Sequence, residues 1–214
     1  MDATFFSRRD GVLIFRSNSK NVIWKYIETE KVEHYKDLLS QLEKERFEFN
    51  FFTIDGRRGV REMLKSSYPE VPIQYCQFHQ IQILIRYLSR NPKLEAGIEL
   101  KAIGLSLTKN SKEFFTNSLE NWYLKWENFL KEKTKNPETG KEYFTHRKLR
   151  SAYFSLKRNL LYLFTYEDFP ELGIPNTTNS CDGSFAHWKS KVKLHRGLKK
   201  ERKRKMIDHF LKSC

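Results

Sequence analysis

Three aspartates stand where one kind of local pattern gives way to another. Asp2 opens Asp2-Ala3-Thr4-Phe5-Phe6, Asp55 closes the apolar run Phe52-Thr53-Ile54, and Asp182 follows Thr177-Thr178-Asn179-Ser180-Cys181 at the head of a helical pattern. Two of them sit where a β-type run meets a loop, and the third opens a helix. A fold that serves all three must bring two strand ends and a helix start together. Carboxylates gathered in that way hold two divalent cations, the arrangement that cuts and joins phosphodiesters.

The surrounding patterns say which elements can do this. Gly11 to Arg16 and Asn21 to Ile27 are β-branched and aromatic runs on either side of Ser17-Asn18-Ser19-Lys20, which predicts a hairpin. From residue 31 to 46, Val32, Tyr35, Leu38, Leu39 and Leu42 recur at spacings of three and four, the mark of an amphipathic helix. Phe47 to Ile54 predicts a strand ending at Asp55-Gly56, Val60 to Ser66 a short helix closed by Pro69, and Val71 to Phe78 another strand. The order strand, strand, strand, helix, strand, helix, strand is ribonuclease-H-like: an α/β fold whose mixed sheet carries acids at neighbouring strand ends.

From about residue 80 to 164 long helical stretches take over, with Ile81, Leu84, Ile85 and Leu88 in one and Phe115, Leu119, Trp122, Tyr123 and Trp126 in another. Asn136-Pro137-Glu138-Thr139-Gly140 predicts a loop between them. The aromatic group at helical spacing is expected in a core rather than as a stacking platform for bases. A turn-rich connector, Pro170 to Thr178, leads to a final helix capped by Asn179, with Phe185, Trp188 and Val192 facing the sheet and Asp182 in the first turn. The expected organisation is residues 1–79 as the first part of the core, 80–166 as a large helical insertion between the second and third acids, and 167–214 as the remainder of the core with a basic tail.

With 40 Lys+Arg against 26 Asp+Glu, a net charge of +14, the chain attracts a polyanion. Between Ala186 and Lys205 ten cations face one acid, Glu201, which accounts for +9 of that excess. Solvated helix faces commonly mix signs, and this run does not. Lys189, Lys193, His195, Arg196, Lys199, Lys200, Arg202 and Lys203 are therefore expected to contact a phosphate backbone, with Arg57 and Arg58 adding contacts near the scissile phosphate. Three cysteines, Cys76, Cys181 and Cys214, form no closely spaced even set, so a secreted disulfide framework is not expected. No run reaches the roughly 18 apolar residues of a membrane span, and the first residues lack the apolar core of a signal peptide. The expectation is a soluble cytoplasmic protein without a membrane partner.

Five segments resemble, in this order, the catalytic domain of mutator-like DDE transposases. They are Asp2-Ala3-Thr4-Phe5-Phe6, Thr53-Ile54-Asp55-Gly56, Cys76-Gln77-Phe78-His79-Gln80, Thr177-Thr178-Asn179 to Asp182-Gly183-Ser184-Phe185, and His195-Arg196-Gly197-Leu198. The likeness runs over nearly the whole chain. It implies a ribonuclease-H-like core that binds two Mg²⁺ or Mn²⁺ ions through Asp2, Asp55 and Asp182, with His79 directed toward the phosphate path. The implied activity is DNA cleavage and strand transfer for a bacterial insertion sequence. The implied partners are the terminal inverted repeats and target DNA, bound by a homo-oligomer on the nucleoid of a prokaryotic host.

Two positions depart from that family. Its third acid is usually Glu, whereas Asp182 is one methylene shorter, and its first acid ends a buried apolar strand, whereas only Met1 precedes Asp2. The central strand and an upstream DNA-binding region are therefore expected to be missing, leaving a truncated product or remnant. Two other functions stay open: an inactive remnant that acts only as a DNA-binding module, and a ribonuclease-H-like nuclease that only hydrolyses. For the single residues, Asp2 also fits a loose chain end, Asp55 a turn before Gly56, and Asp182 a first-turn helix carboxylate. Cys76-x-x-His79 lacks the second ligand pair that zinc would need.

Overall fold

Val12-Leu13-Ile14-Phe15 is apolar at every position, which a strand tolerates only when both of its faces are covered. A computed structural model describes residues 1–17, 20–195 and 197–212; of Asn179, Ser180, Cys181, Asp182, Ser184 and Lys200 the side chains lie outside the described set, as do Arg196 and Cys214 altogether. The chain is mixed α/β, rich in helix, with small sheets. It divides into two compact units, Met1–Ile73 with Thr178–Cys214, and Gln74–Thr177.

The first unit contains β1 (Asp2–Ser7), β2 (Asp10–Ser17), β3 (Lys20–Ile27), α1 (Val32–Lys44), β4 (Phe52–Ile54) and α2 (Arg58–Ser67), and β5 (Ile73–Tyr75) leads out of it. The second holds α3 (Gln77–Leu88), α4 (Glu95–Leu105), α5 (Lys112–Lys131), a hairpin of β6 (Lys133–Lys135) and β7 (Glu142–Phe144), α6 (Arg147–Leu163) and the single turn α7 (Thr165–Asp168). The chain then returns to the first unit as α8 (Asn179–Leu194) and α9 (Lys200–Lys212).

Strand β2 is the middle of an antiparallel sheet ordered β1-β2-β3, in register Asp2↔Ile14, Thr4↔Val12 and Ile14↔Trp24. Alternation then decides the layers. Val12 and Ile14 join Phe185, Trp188 and Val192 of α8 and Ile207 and Leu211 of α9 in one buried cluster, as the spacing in the last helix indicated. Phe15 points the other way, its ring 5.9 Å from that of Tyr35 on α1, whose Tyr35, Leu38, Leu39 and Leu42 are all buried. Gly11 lets the Phe5 ring cross the sheet, since a Cβ there would stand 2.6 Å from the ring.

Several expectations change. Strand β1 runs forward from Asp2 to Ser7 and pairs with β2, so Asp2 is only 5% exposed rather than a loose chain end. Phe47 to Phe51 is not strand, because Phe49 packs from a loop with its ring 5.3 Å from those of Phe52 and Tyr68. The strand expected to reach Phe78 stops at Tyr75, and Cys76 becomes the N-cap of α3. Tertiary hydrogen bonds cause this turn: the Gln77 amide donates to the Asn176 carbonyl at 2.9 Å and its side chain to the Leu163 carbonyl at 2.8 Å. The loop around Asn136-Pro137 is the tip of a hairpin that the helical pattern hid. Thr178, not Asn179, takes the N-cap position of α8.

Candidate functional site

Asp2 lies on the face of the sheet that α8 and α9 cover, since its strand neighbour Phe6 and its cross-strand partner Ile14 both pack into that cluster. One carboxylate oxygen accepts the Ala3 amide at 2.8 Å. The Met1 ammonium donates to the Thr53 carbonyl at 2.8 Å, which lays the start of β1 against β4. Asp55 follows β4 directly, half-buried, and its Oδ1 accepts the Arg57 amide at 3.2 Å. Gly56 makes the turn possible with φ at 84°, a conformation glycine adopts without steric cost. The start of β1 thus touches β4, whose last residue precedes Asp55, although the two strands belong to different sheets. Asp182 is the fourth residue of α8, but its side chain is outside the described residues. Among the described residues no group of three His, Cys, Asp or Glu is arranged to hold a metal ion.

A polar cluster that no sequence pattern announced stands beside these acids. The buried Tyr35 phenol donates to Glu30 Oε1 at 2.6 Å, and the Arg57 guanidinium pairs with Glu30 Oε2 and donates to the Glu30 carbonyl at 3.3 Å. Burial first, then the charge and hydrogen bond of Glu30, and then the charges of Asp55 and Asp2, hold the phenol far above its ordinary range. It stays neutral and donates. The cluster ties the residues after β3 to the start of α2, so the loop that carries Asp55 is braced from its far side.

The basic residues divide by partner. Arg57 is engaged with Glu30, while Arg58, 84% exposed, bonds Glu62 at 2.7 Å one helical turn away. Such surface pairs are worth only about 0.2–1 kcal/mol, so Arg58 exchanges partners at little cost. Lys189, Lys193, His195, Lys199 and Arg202 are exposed and Lys203 is half-buried; the side chains of Arg196 and Lys200 lie outside the described set. Arg204 turns inward, its Nε 3.8 Å from Asp10 Oδ1 and its guanidinium 4.7 Å over the Tyr26 ring. The Tyr26 hydroxyl donates to Asp208 at 2.8 Å beside it. Arg202, Lys205, His209 and Lys212, spaced three, four and three, occupy the exposed side of α9.

Cys76 and His79 belong to the second unit, Cys76 buried and His79 half-buried in the first turn of α3, whereas the three aspartates belong to the first. In the same second unit Trp122 is buried with its Nε1 donating to the Ala96 carbonyl at 3.0 Å, Tyr123 stacks on Tyr153 at 4.7 Å, and Trp126 Nε1 donates to Glu99 at 2.7 Å. They are packing residues. No described helix is long and apolar enough to cross a membrane. Compared with models of protein families, with curated proteins and with solved structures, the chain matches none.

Proposed function

We propose that the chain is the catalytic domain of a DDE transposase with a ribonuclease-H-like core, cutting DNA at the terminal repeats of an insertion sequence and joining it to target DNA. The observation that carries this reading is the bond from Met1 to the Thr53 carbonyl, which puts the Asp2 end of β1 beside the Asp55 end of β4. On the same face of the sheet packs α8, whose first turn contains Asp182.

Asp2, Asp55 and Asp182 would hold two Mg²⁺ or Mn²⁺ ions, for which carboxylate oxygens are suitable hard ligands. When bound, such ions supply an activated hydroxyl and stabilise the leaving oxygen. The chain's own residues do the positioning. Asp55 is oriented by the Arg57 amide and braced through Glu30 and Tyr35; Asp2 is held by the strand. Lys189 and Lys193 follow Asp182 by seven and eleven residues, a spacing that returns to one side of a helix and lets α8 hold a DNA backbone near its acid. The enzyme acts on the DNA of its prokaryotic host as a homo-oligomer.

Mn²⁺ titration followed by electron paramagnetic resonance, alongside nicking of labelled DNA and DNA binding by fluorescence anisotropy, tests the reading. The wild-type chain should bind Mn²⁺ and nick DNA. Asp55→Asn should lose nicking and weaken Mn²⁺ binding, while DNA binding stays near wild type. Equal Mn²⁺ binding by the wild type, Asp2→Asn and Asp55→Asn would sink it. DNA binding with neither metal binding nor nicking would identify a DNA-binding module instead.

A further inference from the structure

The second unit carries 16 Lys+Arg against 11 Asp+Glu, and residues 131–150 alone carry seven against three, so nearly all of its excess charge lies in the hairpin and the start of α6. The acids there are mostly consumed: Glu132 pairs with His146 at 2.9 Å and Glu142 with Lys133 at 3.4 Å. Lys135, Lys141, Arg147 and Lys148 are exposed and have no carboxylate partner among the described residues. Of the three acids in this stretch, that leaves Glu138 to face them. The Arg147 guanidinium lies 4.9 Å over the exposed Tyr143 ring, so that side chain is held outward on an aromatic support.

This surface is also rigid for its size. Asn136 Oδ1 accepts the amides of Glu138 at 2.8 Å and Thr139 at 3.1 Å, and Gly140 closes the tip by donating to the Asn136 carbonyl at 2.9 Å. At the base, the Arg150 guanidinium stacks 3.6 Å over Phe144 and donates to the Leu130 carbonyl at 2.9 Å. A preformed ribbon loses little freedom on binding. Packing does not require the hairpin to be basic, since Lys135, Lys141 and Lys148 all lie outside the core.

We propose that the β6–β7 hairpin and the first turn of α6 form a DNA-contacting surface in the second unit, separate from the basic run of α8 and α9. Its partner is the phosphate backbone of duplex DNA, for a two-stranded ribbon fits a major groove about 12 Å wide. From the function proposed above it takes only the identity of the polymer, and it stands or falls without metal or cleavage.

The test uses the full chain in EDTA, so that binding is read without catalysis. Lys135→Gln, Lys141→Gln and Lys148→Gln are combined, and anisotropy with a short duplex is followed between about 50 and 200 mM salt. Every phosphate that a lysine no longer neutralises lowers the log-log slope by about 0.9, so the triple variant should fall by about 2.7. A control combining Lys36→Gln, Lys93→Gln and Lys109→Gln, three exposed lysines elsewhere, removes the same charge and should leave the slope near wild type. Equal slopes for the hairpin variant and the wild type, or equal losses in both variants, would overturn the proposal. So would single-stranded RNA binding more tightly than duplex through the same lysines. An Mg²⁺-inert protein that still shows the hairpin-specific loss would refute the transposase reading and leave this one standing.

Discussion

In α9 the helical repeat sorts the cations, whereas in the β6–β7 hairpin nothing sorts them. Lys-Glu-Arg-Lys-Arg-Lys at 200–205 looks uniform, yet Arg204 is drawn inward to Asp10 and Tyr26 while Arg202 and Lys205 face solvent. The hairpin has no comparable inward side: its strands span three residues each and its cations stay outside. A basic run on a packed helix therefore mixes structural and available charge. On the short ribbon Lys133 pairs with Glu142, while Lys135 and Lys141 have no carboxylate partner among the described residues. Counting cations overstates the first surface and misses the second.

The largest expected effect separates the supports of the two regions. Trp188 is buried against β2 and stacks parallel to Phe210, so Trp188→Ala should cost about 3–5 kcal/mol. Denaturant melting should show the first unit loosened while the near-ultraviolet signal of Trp122 and Tyr153 persists until a later transition. A single unshifted transition would mean that α8 is not held by this cluster.

A smaller effect tests the sorting itself. Arg204→Met should destabilise by about 1–3 kcal/mol, because it leaves the buried Asp10 oxygen without its cation, and it should not change the salt slope of DNA binding. Lys205→Gln should do the reverse, with stability within about 0.5 kcal/mol of wild type and a slope lower by about 0.9. If the two variants behave alike, the inward and outward assignments are mistaken.

The smallest effect appears only at high pH and concerns the helix that supports the hairpin. Burial first, then the neighbouring Tyr123 and Glu120, pushes the Tyr153 phenol up to about 12. Its unfolded value is about 10. A folded value raised above the unfolded one gives stability that is fully present below about pH 10 and lost as pH rises toward about 12. Chemical denaturation should show stability falling across that window, and Tyr153→Phe should flatten the fall. An unchanged alkaline profile in Tyr153→Phe would remove this residue from the account.

The elements that were legible in the sequence are those whose period is set by burial along one continuous segment. The α1 stripe at Tyr35, Leu38, Leu39 and Leu42, the hairpin of β2 and β3, and the facing of Phe185, Trp188 and Val192 all follow from spacing alone, because each buries one side against a single neighbouring layer. Asp55 at a strand end before Gly56 was legible for the same local reason. What the tertiary structure decided was everything that depends on a partner distant in sequence. Strand β1 exists because β2 pairs with it, β5 stops because Asn176 and Leu163 claim Gln77, and Arg57 and Arg204 are spoken for because Glu30 and Asp10 lie beside them. A hydrogen bond or ion pair between residues far apart in the chain leaves no period to read, so only the folded protein shows which charged groups remain available to a ligand.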